Sequence, residues 1–298
     1  MANFPKRAAL IWRFSLLLGL IFFALAGAAP IVAYGQLEPI TNREAQCVFA
    51  GDARNISITL HNSGGQNFNR EVRTRIYQTS SATAVLLSEN PWRQIQVPAG
   101  ETVLESAALD FPAVKAKTKY LVQWLVDTNV LGVTPVLVYP TNLLQTLKSF
   151  LSETNFGVFD PGDRLKPLLK AQGIKFADMA ETGLDDFSGQ LAVIGPFQSR
   201  AQVPDGLVEQ VQTLAKKNVA VVWIQPPQEK PDKLLPSFYC VQKNQTDVVV
   251  VQPDLVSDLL DNPQAQLNLI YFSQLALNPQ PPVLPGLSPP EEISKDLR

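Results

Sequence analysis

The chain has 298 residues, 46% hydrophobic and 17% charged, a composition that excludes disordered and collagenous classes and at roughly 100 to 200 residues per domain predicts two domains. Its 25 basic and 27 acidic residues give a formal charge of -2, with no excess of base to grip a phosphate backbone, so no nucleic-acid partner is expected. One His and two Cys leave almost nothing for a zinc site, a His-dependent triad or a disulfide-stapled fold.

Residues 1–35 carry Lys6, Arg7 and Arg13 and no acid, followed by an apolar run from Phe14 to Ala29 that Pro30 ends. That layout predicts a secretory signal peptide. The 16-residue run is shorter than the roughly 20 residues a bilayer-spanning helix needs, so cleavage is expected over anchoring. Small residues fit cuts after Ala28 or after Gly35, and the second is preferred because Pro30 closes the helix upstream. The alternative is an uncleaved anchor extended through Ile31, Val32 and Tyr34, and membrane association is expected only in that case. Cleavage at Gly35 removes three bases and no acid, leaving 22 basic against 27 acidic residues in a secreted or periplasmic protein. Export permits a bridge between Cys47 and Cys240, and two buried free thiols are the other reading.

Residues 36–141 read as an all-β sandwich. Ile56, Ile58 and Leu60 alternate with Asn55, Ser57 and Thr59, and Asn62-Ser63-Gly64-Gly65 supplies a turn. Glu71–Tyr77 and Lys119–Asp127 alternate in the same way, the latter with Tyr120, Val122, Trp124 and Val126 on one side. Further strands are predicted over Ala45–Ala50, Thr83–Leu87, Arg93–Val97, Thr102–Leu109 and Val133–Tyr139, which is the strand density of a sandwich.

Residues 150–277 alternate strand and helix, which predicts a doubly wound, mostly parallel sheet. Strands are expected at Phe156–Phe159, Ile174–Ala177, Leu191–Ile194, Val219–Ile224, Phe238–Val241 and Val248–Val251. Helices are expected near Arg164–Gln172, Asp205–Lys217 and Gln264–Leu277, the second with Leu207, Val211 and Leu214 on one stripe. Residues 278–298 hold six prolines and are expected to form a disordered tail.

The run Gly189-Gln190-Leu191-Ala192-Val193-Ile194-Gly195-Pro196-Phe197, the helix through Leu214-Ala215-Lys216-Lys217 and the strand Val219-Ala220-Val221-Val222-Trp223-Ile224 resemble class I glutamine amidotransferase-like domains. The resemblance spans Phe156 to Leu277 and implies a flavodoxin-like module of the kind also found as a non-catalytic part of large secreted glycosidases. Catalytic members of that family place a Cys on a tight strand-to-helix turn, with His and Glu later in the chain. Here Val219–Ile224 runs into Gln225-Pro226-Pro227, and Cys240 lies in an apolar strand with His61 in the other half, so no catalytic residues are assigned. The upstream half resembles, in pattern, the immunoglobulin-like modules of exported envelope proteins.

Ligands of open parallel sheets sit beyond the carboxyl ends of the strands. That rule selects Asp160 and Asp163 after the first strand, Phe197, Gln198, Ser199 and Arg200 after the third, Gln225 after the fourth, and Gln252 and Asp254 after the last. Carboxylates so placed hold a hard cation or share acid and base roles, and Asp160-Pro161-Gly162-Asp163 equally reads as a turn and helix cap. No metal and no cofactor are assigned: one His and two Cys leave almost nothing for a zinc site, turn and cap chemistry is preferred for the carboxylates, and with neither a Walker sequence nor Gly-x-Gly-x-x-Gly no nucleotide is expected. Trp92, after Asn90-Pro91 in a loop, is the candidate for stacking on a sugar; the alternative is a ring covering the core. Asn55 and Asn244 begin glycosylation sequons, relevant only in a eukaryotic secretory pathway. The function expected is an exported, non-catalytic binding or assembly module of the bacterial cell envelope with a protein or glycan partner. The alternative is a carboxylate-dependent hydrolase of envelope or extracellular glycans.

Overall fold

A computed structural model describes residues 37–40, 44–149, 151, 156–227, 237–243 and 246–278. The expected signal peptide, the Pro-rich tail beyond Asn278 and the sequon at Asn244 lie outside the described residues.

The first half supplies β1 (Leu37–Ile40), β2 (Gln46–Phe49), β3 (Gly51–Asn62), β4 (Phe68–Thr79), β5 (Ala84–Val97), β6 (Thr102–Phe111), β7 (Thr118–Val126) and β8 (Asn129–Tyr139). These form two sheets, ordered β1-β3-β6 and β2-β8-β7-β4-β5. The alternation read from the sequence sets which side chains meet: Ile56, Ile58 and Leu60 of β3 face Val72 and Ile76 of β4 and Tyr120, Val122 and Trp124 of β7 in one apolar core. Trp124 is fully buried, and its indole Nε1–H donates to Thr134 Oγ1 at 2.9 Å, so the polar atom buried with the ring is satisfied.

Where the sequence predicts two strands, Thr83–Leu87 and Arg93–Val97, there is one. β5 carries Pro91 because it is a sheet edge, where a missing backbone donor breaks no ladder on the open side. Its register with β4 jumps from Leu86↔Tyr77 to Ser88↔Ile76 and from Pro91↔Arg73 to Arg93↔Val72, leaving Leu87 and Trp92 as bulged residues.

The second half supplies β9 (Phe156–Phe159), β10 (Ala177–Asp178), β11 (Leu191–Ile194), β12 (Ala220–Ile224), β13 (Phe238–Lys243) and β14 (Thr246–Val251), in one sheet ordered β10-β9-β11-β12-β14-β13. Its α-helices are α1 (Lys166–Ala171), α2 (Met179–Thr182), α3 (Leu207–Lys216) and α4 (Pro263–Leu277). Apolar runs such as Leu191–Ile194, buried at every position, occupy the middle of the sheet because both of its faces are covered. Leu269 and Phe272 of α4 pack on the face that presents Val158, Leu191 and Val222. Leu207, Val211 and Leu214 of α3 pack on the face that presents Ala192, Ile194 and Val221.

The expected fold class, an immunoglobulin-like sandwich followed by a flavodoxin-like doubly wound parallel sheet, is corrected. The described residues are mostly strand, in three sheets with few helices, and two sheets are mixed. β2 joins β8 parallel within an otherwise antiparallel sheet, and β13 runs antiparallel to β14 at the edge of the third. The predicted second strand, Ile174–Ala177, shrinks to Ala177–Asp178, and the helix predicted over Arg164–Gln172 keeps only Lys166–Ala171. Tertiary packing decides these short apolar segments, whose periodicity does not distinguish turn, strand and helix.

Candidate functional site

Because β9, β11, β12 and β14 are mutually parallel, their carboxyl ends open onto one side of the sheet. There a cleft of about 570 Å³ is bounded by the β9–α1 loop, the segment Pro196–Gln198, Pro227 and the turns from Pro253 to Asp261. It brings together four of the residues selected from the sequence: Asp163, Phe197, Gln198 and Asp254.

Asp160 follows β9 but is fully buried beneath this surface. Its Oδ2 accepts the backbone N–H of Leu165 at 2.6 Å and of Lys166 at 3.0 Å, which fixes the loop and starts α1. The turn-and-cap reading is therefore the one the geometry supports for this residue. Asp163, with φ of 49°, points its carboxylate at Lys166 Nζ, 2.8 Å away, and the same ammonium lies 2.9 Å from Asp178. The hydrogen bond and charge of Lys166 hold the Asp163 carboxyl below the ordinary aspartate range. Hydrogen bonding to Asp163, with the Asp178 bond adding to it against the opposing effect of burial, holds the lysine above its own.

Gln198 is oriented by two contacts: its Nε2 donates to the Gly162 carbonyl at 3.2 Å, and its backbone N–H donates to Gln202 Oε1 at 2.7 Å. A side chain at Gly162 would meet Gln198 at 3.3 Å, so the glycine keeps the two strand-end loops in contact. Asp254 sits in the 3-10 turn Pro253–Val256, whose carbonyl at Asp254 accepts Ser257 Oγ–H at 3.0 Å.

The remaining candidates are elsewhere. Ser199 and Arg200 begin a 3-10 turn and do not line the cleft. Gln225 is held by its backbone N–H to Val251 O at 2.8 Å, and its side-chain oxygen is buried without a partner among the described residues. Trp92 is in the other half: its ring meets Trp124 edge-on at 5.0 Å and lies under the Arg93 guanidinium at 4.7 Å, covering the core. It also borders a separate groove of about 470 Å³ with Leu87, Asp52 and Asp110.

Sequence reasoning missed Arg164, Ser257, Asp258, Leu260 and Asp261 in the cleft wall. The run Asp258-Leu259-Leu260-Asp261-Asn262-Pro263 carries the signature of a turn feeding a helix cap. Asn262 Oδ1 accepts the N–H of Gln264 at 3.0 Å and of Ala265 at 3.4 Å. Nothing in that signature tells which of the two leucines stays outside. Acids outnumber bases around the cleft, with Asp163, Asp254, Asp258 and Asp261 against Arg164.

Among the described residues, no group of three or more His, Cys, Asp or Glu side chains has the geometry to hold a metal ion, and no helix is long and apolar enough to cross a membrane. Cys47 and Cys240 are not bridged, and His61 stands in β3, its Nδ1 3.0 Å from Thr102 Oγ1. Burial raises the Cys47 thiol pKa, opposed by the Tyr139 hydrogen bond and the charge of Lys117; burial likewise pushes the Tyr139 phenol up to about 12.

No family model and no curated protein matches the chain. Among solved structures, a Bifidobacterium adolescentis GH3 beta-glucosidase aligns at 14% identity over 34% of this chain and 17% of that one, with a TM-score of 0.24. A Pseudomonas fluorescens alkylpurine DNA glycosylase aligns at 14% identity over 35% and 31%, with a TM-score of 0.27. A Streptomyces venezuelae beta-glucosidase solved with D-glucose aligns at 16% identity over 35% and 15%, with a TM-score of 0.24. The chain spans less than a third of each of these proteins, and at such scores none of them identifies a fold, an amidotransferase-like domain or an activity here.

Proposed function

We propose that the chain is an exported, non-catalytic binding module of the bacterial cell envelope that seats a glycan in the cleft beyond β9, β11, β12 and β14. Export rests on the basic start and short apolar run of residues 1–35. The observation that carries the binding reading is the division of labour among the carboxylates. Asp160 is fully buried with Oδ2 held by two backbone N–H groups and Asp163 is paired with Lys166, while Gln198 and Asp254 line the cleft from separate, internally braced turns.

Polar side chains such as Gln198 and Asp254 set among Pro196, Pro227 and Pro253 in one lining suit a ligand with hydroxyl donors and C–H faces, which is the chemistry of a sugar chain. A hydrolase needs two carboxyl groups facing one bond, one of them free to hold or release a proton. The test is a glycan screen followed by titration of wild type, Gln198→Ala and Asp254→Asn. Each variant is expected to bind the selected oligosaccharide about tenfold more weakly, the loss of roughly one hydrogen bond to a charged or polar acceptor. Selection of basic peptides instead of glycans, with the same dependence on Asp254, replaces the glycan with a protein partner. Binding that ignores both substitutions removes the cleft from the account.

A further inference from the structure

We propose that the protein associates with a second copy of itself, the turn Ser257–Asp261 of one molecule docking into a groove between the two halves of the other. The inference goes beyond the cleft reading and stands on different residues for its receptor.

The donor is a fixed knob. Leu259 is buried at 4% exposure, whereas its neighbour Leu260 is 68% exposed. The backbone presenting it is braced: the N–H groups of Asp261 and Asn262 both donate to the Asp258 carbonyl, at 2.9 and 2.8 Å, with Asp258 held at φ of 54°. An exposed leucine on a constrained turn loses little conformational entropy when it docks. Asp258 and Asp261 flank it, so the knob is apolar at its tip and negative at its base.

The receptor has the complementary character. A groove of about 640 Å³ runs between the Lys115–Lys117 segment, the 3-10 turn Leu143–Ser149 and α4. Tyr139, Pro140, Leu143 and Leu267 give it apolar walls, and Lys115 and Lys117 are exposed at its rim. Neither lysine forms an ion pair among the described residues. Asp258 and Asp261, the latter also 3.9 Å from Arg54 Nη1 of its own molecule in an ion pair, flank a leucine that thus meets two lysines around an apolar slot, a match of charge as well as of polarity. The molecule's own Leu260 does not fill the groove, since it is exposed and absent from the groove walls.

Sedimentation velocity of the purified exported form, residues 36–298, over a concentration series tests this. The expected result is a concentration-dependent shift above the mass of one such molecule that weakens as salt is added. Leu260→Asp, and separately Lys115→Glu with Lys117→Glu, should each weaken association about tenfold or more, as loss of an interface anchor does. Both changes are at exposed positions and should leave the melting temperature unmoved. Asp258→Lys with Asp261→Lys should fail alone and regain association when mixed with the lysine-to-glutamate variant. Asp254→Asn, which lies outside the knob, should keep association while binding the ligand about tenfold more weakly, so the failure of one reading is distinct from the failure of the other. A wild type that stays monomeric at every concentration, association indifferent to Leu260→Asp, or charge-swapped variants that do not recombine would each overturn the proposal.

Discussion

Asp160 shows how much one buried carboxylate can organise. It receives two backbone N–H groups at the end of β9, and removing it leaves both donors unpaired in a fully buried site. Asp160→Ala should therefore destabilise the protein by about 2 to 4 kcal/mol, measured by urea unfolding. Asp160→Asn, which keeps an acceptor oxygen, should cost less. Nearby, Asp163 has its folded-state pKa lowered, so its link to Lys166 contributes above the ordinary aspartate pKa and is lost as pH falls through the depressed value. Acid unfolding of Asp163→Asn should lack that component, visible as a flatter stability profile below about pH 4. At the other extreme, Tyr139 has its folded pKa raised to about 12, so the unfolded chain ionises first and stability falls as pH rises from the ordinary tyrosine value toward that figure. Tyr139→Phe should flatten this alkaline decline in melts compared at neutral and alkaline pH. Of these groups the sequence made Asp160 and Asp163 legible, through Pro161-Gly162 between them. The partnership of Lys166 with Asp178 was not, because it depends on where β10 lies beside β9.

At the scale of elements, long alternating or uniformly apolar segments were legible and short ones were not. Arg54–Leu60, Leu191–Ile194 and the stripe Leu207, Val211, Leu214 each lie in the element their period indicates, since every second or every third-to-fourth side chain had an apolar face to fill. Leu214 is fully buried between α3 and the sheet, and Leu214→Ala should cost about 2 to 5 kcal/mol by denaturant unfolding. Gly157 is the opposite case. A methyl group there would stand 2.7 Å from the Phe187 ring, so Gly157→Ala should destabilise by about 1 to 3 kcal/mol through overpacking. The failure at β5 has a different origin: Pro91 reads as a strand breaker unless one knows that the strand is an edge, and sheet order is a property of the whole molecule.

At the scale of the whole molecule, the expectation of two familiar folds gave way to three sheets, two of them mixed. Strand order and direction are set by contacts distant in sequence, which composition and periodicity do not report. The rule that directs attention to the carboxyl ends of parallel strands still applies to this sheet, because it needs only β9, β11, β12 and β14 to run the same way. It gathered Asp163, Phe197, Gln198 and Asp254 into one cleft and left Ser199, Arg200, Gln225 and Gln252 outside its walls; Trp92, chosen on other grounds, covers the core of the other half. The cleft wall contributed by Asp258, Leu260 and Asp261 was invisible from the chain, since exposure at a turn apex follows from how α4 docks.

Binding without turnover is most directly tested by calorimetric titration of the selected glycan into the wild-type protein, with the ligand recovered and its mass measured afterwards. The expected result is saturable binding with the oligosaccharide recovered intact, and a binding heat that Asp254→Asn diminishes. Recovery of cleaved sugar from the wild type, abolished by Asp163→Asn or Asp254→Asn, would contradict it and make the cleft an active site.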